Sequence, residues 1–181
     1  RSKTRHGHQI AMRILLFGKN GQVGTELQTH LMELGEVIAL DRNGSEQYCG
    51  DLANLSGLRE TIASIKPNVI VNAAAYTAVD KAESDQDLAN LINYDAVAVL
   101  AQEAKKLDAL LVHYSTDYVF NGAGDTPWVE TDQTAPLNYY GLTKLVGEQS
   151  IQASGCKHLI FRTSWVYGKQ GNNFAKTMLK L

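Results

Sequence analysis

The chain has 181 residues, of which 44% are hydrophobic and 20% are charged, and its formal net charge is −2. This composition excludes an intrinsically disordered or low-complexity protein, because such chains lack the apolar residues that a core requires. The near-neutral charge gives no basis for nucleic-acid binding, and no run approaches the roughly 18 apolar residues of a membrane span. Cys49 and Cys156 are far apart in the sequence, so we predict no disulfide framework, no cysteine-ligated metal and a cytoplasmic location.

The first eleven residues differ from the rest of the chain. They hold three of the 17 Lys and Arg and none of the 19 Asp and Glu, which leaves a formal charge near −5 on the remainder. No apolar run suited to a signal peptide follows them. We interpret residues 1–11 as a leader or a cloning remnant, and residues 12–181 as the folded domain, with Met12 as its natural start.

Apolar runs alternate with segments of helical periodicity from residue 12 onward. The predicted strands cover 12–17, 37–40, 68–72, 109–114 and 158–162. The predicted helices cover 22–34, 54–65, 82–107 and 139–153, of which 82–107 has a start that the sequence allows to be interrupted, and a long loop covers 121–137. This alternation predicts an α/β protein with a doubly wound, Rossmann-like parallel sheet in three layers. We expect the strand order 3-2-1-4-5, with ligands at the switch between strands 1 and 4.

Residues 172–181 read as the beginning of an amphipathic helix. Phe174, Met178 and Leu181 fall near helical spacing, and no Gly or Asn stop signal follows them. We therefore expect the chain to be part of a longer protein, with a C-terminal substrate lobe that is absent here.

A GxxGxxG pattern, formed by Gly18, Gly21 and Gly24, lies between the first strand and the first helix. Glycines at this place allow a tight turn, and the free N–H groups of the following helix attract a pyrophosphate. Asp41 ends the second strand, where an acidic residue commonly binds the adenosine ribose. This context favours dinucleotide binding over a glycine-rich turn without a ligand.

The residues after the second strand are consistent with either nicotinamide cofactor. Asp41 would repel a 2′-phosphate and favours NAD, whereas Arg42 could neutralise that phosphate. Asp51 and Leu52 are placed to border an adenine, although Asp51 could equally belong to the N-cap region of the second helix.

Three side chains form a candidate catalytic group. Thr116 follows the fourth strand, and Tyr140 and Lys144 are one turn apart on the next helix. A nearby ammonium group would lower the high pKa of the phenol, which could then donate a proton to a carbonyl oxygen. Thr116 could hydrogen-bond the same oxygen as charge develops on it. The alternative for Tyr140 and Lys144 is an exposed pair without chemistry.

The combination resembles the extended short-chain dehydrogenase/reductase family. Several segments are more specifically similar to the dTDP-4-dehydrorhamnose reductase family, and the similarity extends from residue 12 to 181. These segments are RILLFGKNGQVGTEL, VIVNAAAYTAVDKAE, VHYSTDYVFNG, YYGLTKLVGE and LIFRTSWVYG. The resemblance implies reduction of the 4-keto group of dTDP-6-deoxy-L-lyxo-4-hexulose by NADPH, or by NADH, to give dTDP-L-rhamnose for cell-surface polysaccharides such as lipopolysaccharide.

The resemblance also implies roles for individual residues. Tyr140 would be the acid, Lys144 its partner, and Thr116 and Asp117 would contact the sugar, with Trp165 beside it. The residues implied in cofactor binding are Gly18, Gly21, Gln22, Val23, Gly24, Asp41, Arg42, Asp51, Leu52, Ala75, Tyr76, Thr77, Tyr114, Tyr140 and Lys144. The implied partner is a nucleotide sugar, with a possible homodimer and with neither nucleic acid nor membrane. No metal site is assigned, since Mg²⁺ would involve only the absent C-terminal part.

Two alternative functions stay open. The first is a non-catalytic NADP-binding subunit related to the methionine adenosyltransferase regulatory (beta) subunit. The second is another nucleotide-sugar epimerase or reductase, and a dehydratase is disfavoured because Tyr118 follows Asp117 where an acidic pair would be expected. Separately, His113 lies in an apolar strand and is interpreted as a packed core residue rather than a base. We expect the 181-residue chain to bind the cofactor and to turn over the sugar poorly.

Overall fold

The computed structural model describes residues 12–169, 171 and 173–180, so the interpretation of residues 1–11 falls outside the described part. The strands are β1 (Arg13–Phe17), β2 (Glu36–Leu40), β3 (Val69–Asn72), β4 (Leu110–Thr116) and β5 (Lys157–Thr163). The helices are α1 (Gln22–Leu31), α2 (Leu55–Ile65), α3 (Val79–Ala82), α4 (Gln86–Asn90), α5 (Ala96–Leu107), α6 (Tyr139–Ser154) and α7 (Phe174–Met178).

The five strands form one parallel sheet in the order β2-β1-β3-β4-β5. The predicted α/β class is confirmed, but the predicted order 3-2-1-4-5 is wrong. β3 lies beside β1, and the switch point lies between β1 and β3. The burial of β3 explains this position, since three consecutive residues, Ile70, Val71 and Asn72, are buried on both faces of the sheet. β2 is only partly buried and lies at the edge.

The handedness of the crossovers distributes the helices unevenly. Because crossovers are right-handed, the connection from β1 to β2 places α1 on one face of the sheet. The later connections run in the opposite direction along the sheet, so they place α2, α5 and α6 on the other face. Leu15 and Phe17 pack into the larger core under α2 and α5, whereas Ile14 and Leu16 face α1. On the α1 side of β5, Leu159 and Phe161 are about half exposed, at 49% and 46%.

The predicted helix 82–107 is interrupted in the structure. α3 and α4 are short, and a π-helical turn, Leu91–Asp95, joins α4 to α5. Among the described residues, no helix is both long enough and apolar enough to cross a bilayer.

Candidate functional site

The loop between β1 and α1 is shaped by two glycines. Gly18 has φ +86° and packs on the segment after β3, where a Cβ would lie 2.8 Å from the Ala73 carbonyl. A Cβ on Gly24 would lie 2.0 Å from the Gly18 carbonyl oxygen. Neither position accepts a side chain, so the loop turns tightly at the carboxyl edge of the sheet. Gly21 is the N-cap of α1 and has no side chain that could cap the first turn of the helix.

Polar groups after β2 form a second part of the site. Asp41 accepts hydrogen bonds from the Asn20 side chain at 2.7 Å and from the Asn43 amide at 2.9 Å. Arg42 is 78% exposed and lies 3.8 Å from the Asp51 carboxylate. Asp51 also accepts from the Ala53 amide at 3.0 Å, so it stabilises the turn before α2 while facing the cavity.

Two cavities adjoin the segment that follows β3, residues 73–77. One, of about 380 Å³, extends from Gly18 past Arg42, Asp51 and Leu52. The other, of about 360 Å³, extends towards Tyr140 and Trp165. Ala74, Ala75 and Thr77 line both, so the two cavities together form one elongated cleft on either side of this segment. Volumes in this range suit small organic ligands.

Tyr76 holds this segment in place through hydrogen bonds of its backbone and its phenol. Its peptide N–H donates to Asn93 Oδ1 at 2.9 Å, and its carbonyl accepts from Asn93 Nδ2 at 3.1 Å. The phenol donates to Asp85 at 3.0 Å. Asn93 lies in the π-helical turn and is 1% exposed. The shared wall of the two cavities is therefore held by buried hydrogen bonds.

Tyr140 lies on the first turn of α6 and faces the second cavity. Tyr118 packs edge-on against it, with ring centroids 5.8 Å apart. Burial raises the pKa of Tyr140, a hydrogen bond from Thr116 acts in the opposite direction, and Asp117 and Tyr118 raise the pKa further. The sequence-based prediction that Lys144 lowers this pKa is wrong for the structure described, because Lys144 is engaged elsewhere.

Lys144 is 1% exposed, yet its side chain reaches the cavity. Its Nζ donates to the Tyr114 carbonyl at 2.7 Å and lies 3.5 Å from His113 Nε2. Burial lowers the pKa of Lys144 from 10.5 to about 8, and the negative charge of Glu148 opposes this shift. The ammonium form of Lys144 therefore predominates at neutral pH, although by only about 1.4 kcal/mol.

Two glycines let α6 approach its neighbours. A Cβ on Gly141 would lie 2.3 Å from the Tyr118 carbonyl oxygen, and one on Gly147 would lie 2.3 Å from the Asn93 carbonyl oxygen. Asn138 caps the helix by accepting from the Gly141 amide at 2.7 Å. These close contacts place Tyr140 and Lys144 over the end of β4.

The family model described as "RmlD substrate binding domain" matches residues 12–181. The chain belongs to this family. It is 61% identical over 170 residues to the dTDP-4-dehydrorhamnose reductases of Shigella flexneri and of Escherichia coli strain K12. In both comparisons 94% of this chain is covered, but only 56% of the relative. The chain thus spans little more than half the length of these curated relatives.

Solved structures of dTDP-4-dehydrorhamnose reductases are also similar to this RmlD-family chain. The dTDP-4-dehydrorhamnose reductase of Bacillus anthracis, crystallised with NADP, superimposes with a TM-score of 0.87 at 40% identity and covers 94% of this chain and 59% of its own. A Clostridium acetobutylicum relative gives a TM-score of 0.87 at 43% identity, covering 93% of this chain and 59% of its own. The UDP-glucose 4-epimerase of Thermus thermophilus, at 22% identity with a TM-score of 0.80, shares the fold.

Most of the residues predicted for the site lie in the walls of the two cavities. The first cavity is bordered by Gly18, Arg42, Asp51, Leu52, Ala75, Tyr76 and Thr77. The second is bordered by Ala75, Thr77, Tyr114, Thr116, Asp117, Tyr140, Lys144 and Trp165. Gly21, Gly24 and Asp41 shape the neighbouring loops instead. Gln22 and Val23 line a separate cavity against residues 166–168, and Gln22 accepts a hydrogen bond from Asn173.

Sequence reasoning missed several residues of the site in this RmlD-family chain. Asn93 was included in a helix without a role, although an Asn among Ala, Leu and Val is the polar signal that could have drawn attention to it. Ser115 precedes Thr116 at the end of the fourth predicted strand, and sequence reasoning gave it that place but no role. It lines the second cavity, and its buried hydroxyl has no hydrogen-bond partner among the described residues. Tyr118 and Asn72 were also unassigned, and neither had a sequence pattern that distinguished it.

Proposed function

We propose that the chain carries the cofactor-binding and proton-transfer residues of a dTDP-4-dehydrorhamnose reductase. One observation supports this most strongly: the glycine loop and the group formed by Thr116, Tyr140 and Lys144 lie at opposite ends of one cleft. The high identity to reductases of that name supports the substrate class.

The cleft fits a nicotinamide dinucleotide. Gly18 and Gly24 let the loop turn tightly at the carboxyl edge of the sheet, and the N-terminus of α1 offers backbone N–H groups and a partial positive charge to a pyrophosphate. Asp41 is proposed for the adenosine ribose, and Arg42 for a 2′-phosphate. The unpartnered Ser115 hydroxyl adds a polar group to the nicotinamide side.

The residues at the other end of the cleft suit reduction of a ketone. The reduced nicotinamide would supply the hydride. Tyr140 would donate its phenolic proton to the carbonyl oxygen, and its raised pKa keeps that proton in place before the reaction. Thr116 would donate a hydrogen bond to the same oxygen, where negative charge develops. Lys144 would then return a proton to the phenolate.

The proposed substrate is dTDP-6-deoxy-L-lyxo-4-hexulose, and the product is dTDP-L-rhamnose. Asp117 and Trp165 are proposed to contact the sugar, since both line the second cavity and Trp165 is 60% exposed. We further propose NADPH as the preferred cofactor with NADH accepted, a cytoplasmic location, a homodimer, and a place in the synthesis of rhamnose-containing polysaccharides such as lipopolysaccharide.

The test has a binding part and a reaction part. NADPH is titrated into the full chain while its fluorescence is followed, and NADPH oxidation is then measured with the dTDP-4-keto sugar and with an unactivated ketose. We expect saturable NADPH binding and slow oxidation that depends on the nucleotide sugar. Absence of NADPH binding, or equal turnover of the unactivated ketose, would contradict the proposal.

A further inference from the structure

Lys19 lies in the glycine loop and has no role in the mechanism above. It is the second residue of the GxxGxxG pattern, and its Nζ lies 3.8 Å from Asp41 Oδ2. The two side chains are 30% and 21% exposed, so the pair is partly shielded from water. Since Asp41 is the carboxylate proposed for the adenosine ribose, Lys19 adds a positive charge to that end of the cleft.

The backbone holds the two residues of this pair next to each other. The peptide N–H of Lys19 donates to the Leu40 carbonyl at 3.2 Å, and Leu40 immediately precedes Asp41. The Lys19 carbonyl accepts from the side chains of Thr25 at 3.2 Å and Gln28 at 2.8 Å, both on α1. The glycine loop is thus tied to β2 and to α1 at Lys19 itself, and the proximity of its ammonium group to Asp41 follows from the fold.

The carboxylate of Asp41 has most of its acceptor capacity occupied within the chain. Oδ2 accepts from the Asn20 side chain at 2.7 Å and faces Lys19, and Oδ1 accepts from the Asn43 amide at 2.9 Å. A carboxylate oxygen accepts about two hydrogen bonds, so Oδ1 keeps a site for one ribose hydroxyl. Asp41 can therefore contact the ribose without presenting an uncompensated negative charge.

Two ion pairs in the described part of the chain lie beside the end of β2. Lys19 faces Asp41, and Arg42 lies 3.8 Å from Asp51, so the four formal charges cancel. Because Arg42 is paired with Asp51, Lys19 is the cation that offsets Asp41. This matters for a 2′-phosphate, which carries close to two negative charges near neutral pH and would be repelled by an uncompensated carboxylate.

We propose that Lys19 is a further residue that determines cofactor specificity: by offsetting the charge of Asp41, it allows a 2′-phosphate to bind beside Arg42. For a cofactor without the 2′-phosphate, Asp41 needs only to accept from the ribose, and the charge of Lys19 has no comparable effect. The arrangement is compatible with the proposed acceptance of both NADPH and NADH. The inference rests on the proposed function, since it takes the ligand to be a nicotinamide dinucleotide.

The experiment measures the dissociation constants of NADPH and NADH on the full chain by calorimetry, without substrate. In Lys19→Met we expect NADPH to bind about tenfold more weakly and NADH to change by less than about twofold, because only NADPH carries the extra negative charge. The variant should fold, since so exposed an ion pair contributes little to stability. Lys19→Arg keeps the charge and should bind both cofactors as the wild type does.

Lys157→Met is the matched control for loss of one positive charge. Lys157 also pairs with a carboxylate, that of Asp108 at 2.7 Å, and neither residue lines the two cavities. We expect both dissociation constants to stay at their wild-type values in this variant.

A double variant tests whether the lysine acts through the charge of Asp41. Lys19→Met combined with Asp41→Asn removes one charge of each sign, and the new amide oxygen can still accept from Asn20 or Asn43. We expect its NADPH affinity to return to within about threefold of the wild type, because the charges at the end of β2 again cancel. A lysine that only shaped the loop would not be compensated by a change at Asp41.

Two fragments of the cofactor isolate the 2′-phosphate from the nicotinamide half. Adenosine 2′,5′-bisphosphate and adenosine 5′-monophosphate differ only in that phosphate. The ratio of their affinities should fall about tenfold in Lys19→Met, as for the dinucleotides, and higher salt should reduce the difference between wild type and variant.

Several results would overturn the proposal. They are equal weakening of NADPH and NADH in Lys19→Met, no change in either, a double variant as weak as Lys19→Met, and a loss of NADPH affinity in Lys157→Met. Each of these leaves the proposed reductase function standing. A wild type that binds neither dinucleotide would instead contradict the proposed function together with this inference.

Discussion

Asn93 binds both backbone polar groups of Tyr76 with one side-chain amide, at 2.9 Å to the N–H and 3.1 Å to the carbonyl. The pair spans 17 residues and is buried. A π-helical turn places the amide at this depth, with a further contact to Thr143 at 3.1 Å. The helical region before α5 and the cavity wall are thereby joined.

Asn93→Ala should leave two buried backbone groups without partners. At about 1–3 kcal/mol for each unsatisfied group, we expect the free energy of unfolding to fall by about 2–6 kcal/mol. Chemical denaturation measures this, with Asn90→Ala as the control, since Asn90 makes a single long contact to Asp95 at 3.4 Å. Equal losses of unfolding free energy in the two variants would contradict the prediction for Asn93.

Gly24→Ala should weaken cofactor binding with a smaller effect on folding elsewhere. The new Cβ would lie 2.0 Å from the Gly18 carbonyl oxygen and must displace the loop. We expect NADPH affinity to fall by tenfold or more, about 1.4 kcal/mol. Gly168→Ala is the matched control because a Cβ there meets nothing within 4 Å. Unchanged affinity in Gly24→Ala would rule out this loop as the pyrophosphate site.

Tyr140→Phe should abolish proton donation while keeping the ring. We expect turnover to fall by about 10²–10⁴-fold, the usual contribution of a general acid, with NADPH affinity within a factor of about two. Tyr139→Phe, the adjacent residue on α6, controls for loss of a hydroxyl. A chain in which Tyr140→Phe loses neither turnover nor binding would support the regulatory-subunit alternative.

Lys144 should make the stability of the fold depend on alkaline pH. Its pKa is about 8 in the folded chain against 10.5 as the ordinary value, so the unfolded chain binds more protons between these two pH values. The free energy of unfolding should therefore rise with pH through this window, by about 3 kcal/mol at most from this group. Below pH 8 the cost of burying the ammonium is fully present.

Chemical denaturation at several pH values checks this by difference. Lys144→Met should lack the rise, and Lys180→Met, at an exposed lysine, should retain it. The difference between wild type and Lys144→Met isolates the lysine, because the raised pKa values of Tyr114 and Tyr140 contribute equally to both. Parallel curves for the two proteins would contradict the prediction.

Arg42 should decide between the two nicotinamide cofactors. It lines the first cavity with its side chain 78% exposed, and its pair with Asp51 at 3.8 Å is too exposed to stabilise the fold appreciably. We expect Arg42→Ser to weaken NADPH about tenfold and to leave NADH affinity unchanged. Lys157→Ser removes a cation from another exposed pair, with Asp108, and should affect neither. An equal loss for both cofactors would assign Arg42 to the shared part of the dinucleotide.

The sequence predicted the parts of the fold that depend on local patterns. Apolar runs and glycine spacing located all five strands, the loop at Gly18 and the Tyr140–Lys144 pair, because these signals act over a few residues. The strand order depended on which face α2 packs against, and that is decided by the distant partners Leu15, Phe17 and Leu100. No local pattern carries this information.

The same distinction explains what sequence reasoning missed at the site. One turn of helix places Tyr140 and Lys144 on the same face, but the direction of the lysine depends on the Tyr114 carbonyl and His113, which are contributed by β4. Asn93 required a π-helical turn, which propensities do not predict. Burial also reversed the expected direction of the Tyr140 pKa, since desolvation is a property of the assembled site.

Residues 73–77 form the wall shared by the two cavities, and the Asn93 side chain holds this wall in place. Because Asn93 fixes it through the backbone of Tyr76, we expect the wall to keep its position when a ligand binds. A ligand in one cavity then contacts the same surface whether or not the other cavity is filled. The free energies of binding in the two cavities should therefore be nearly additive. An order of ligand binding would have to come from direct contact between the ligands.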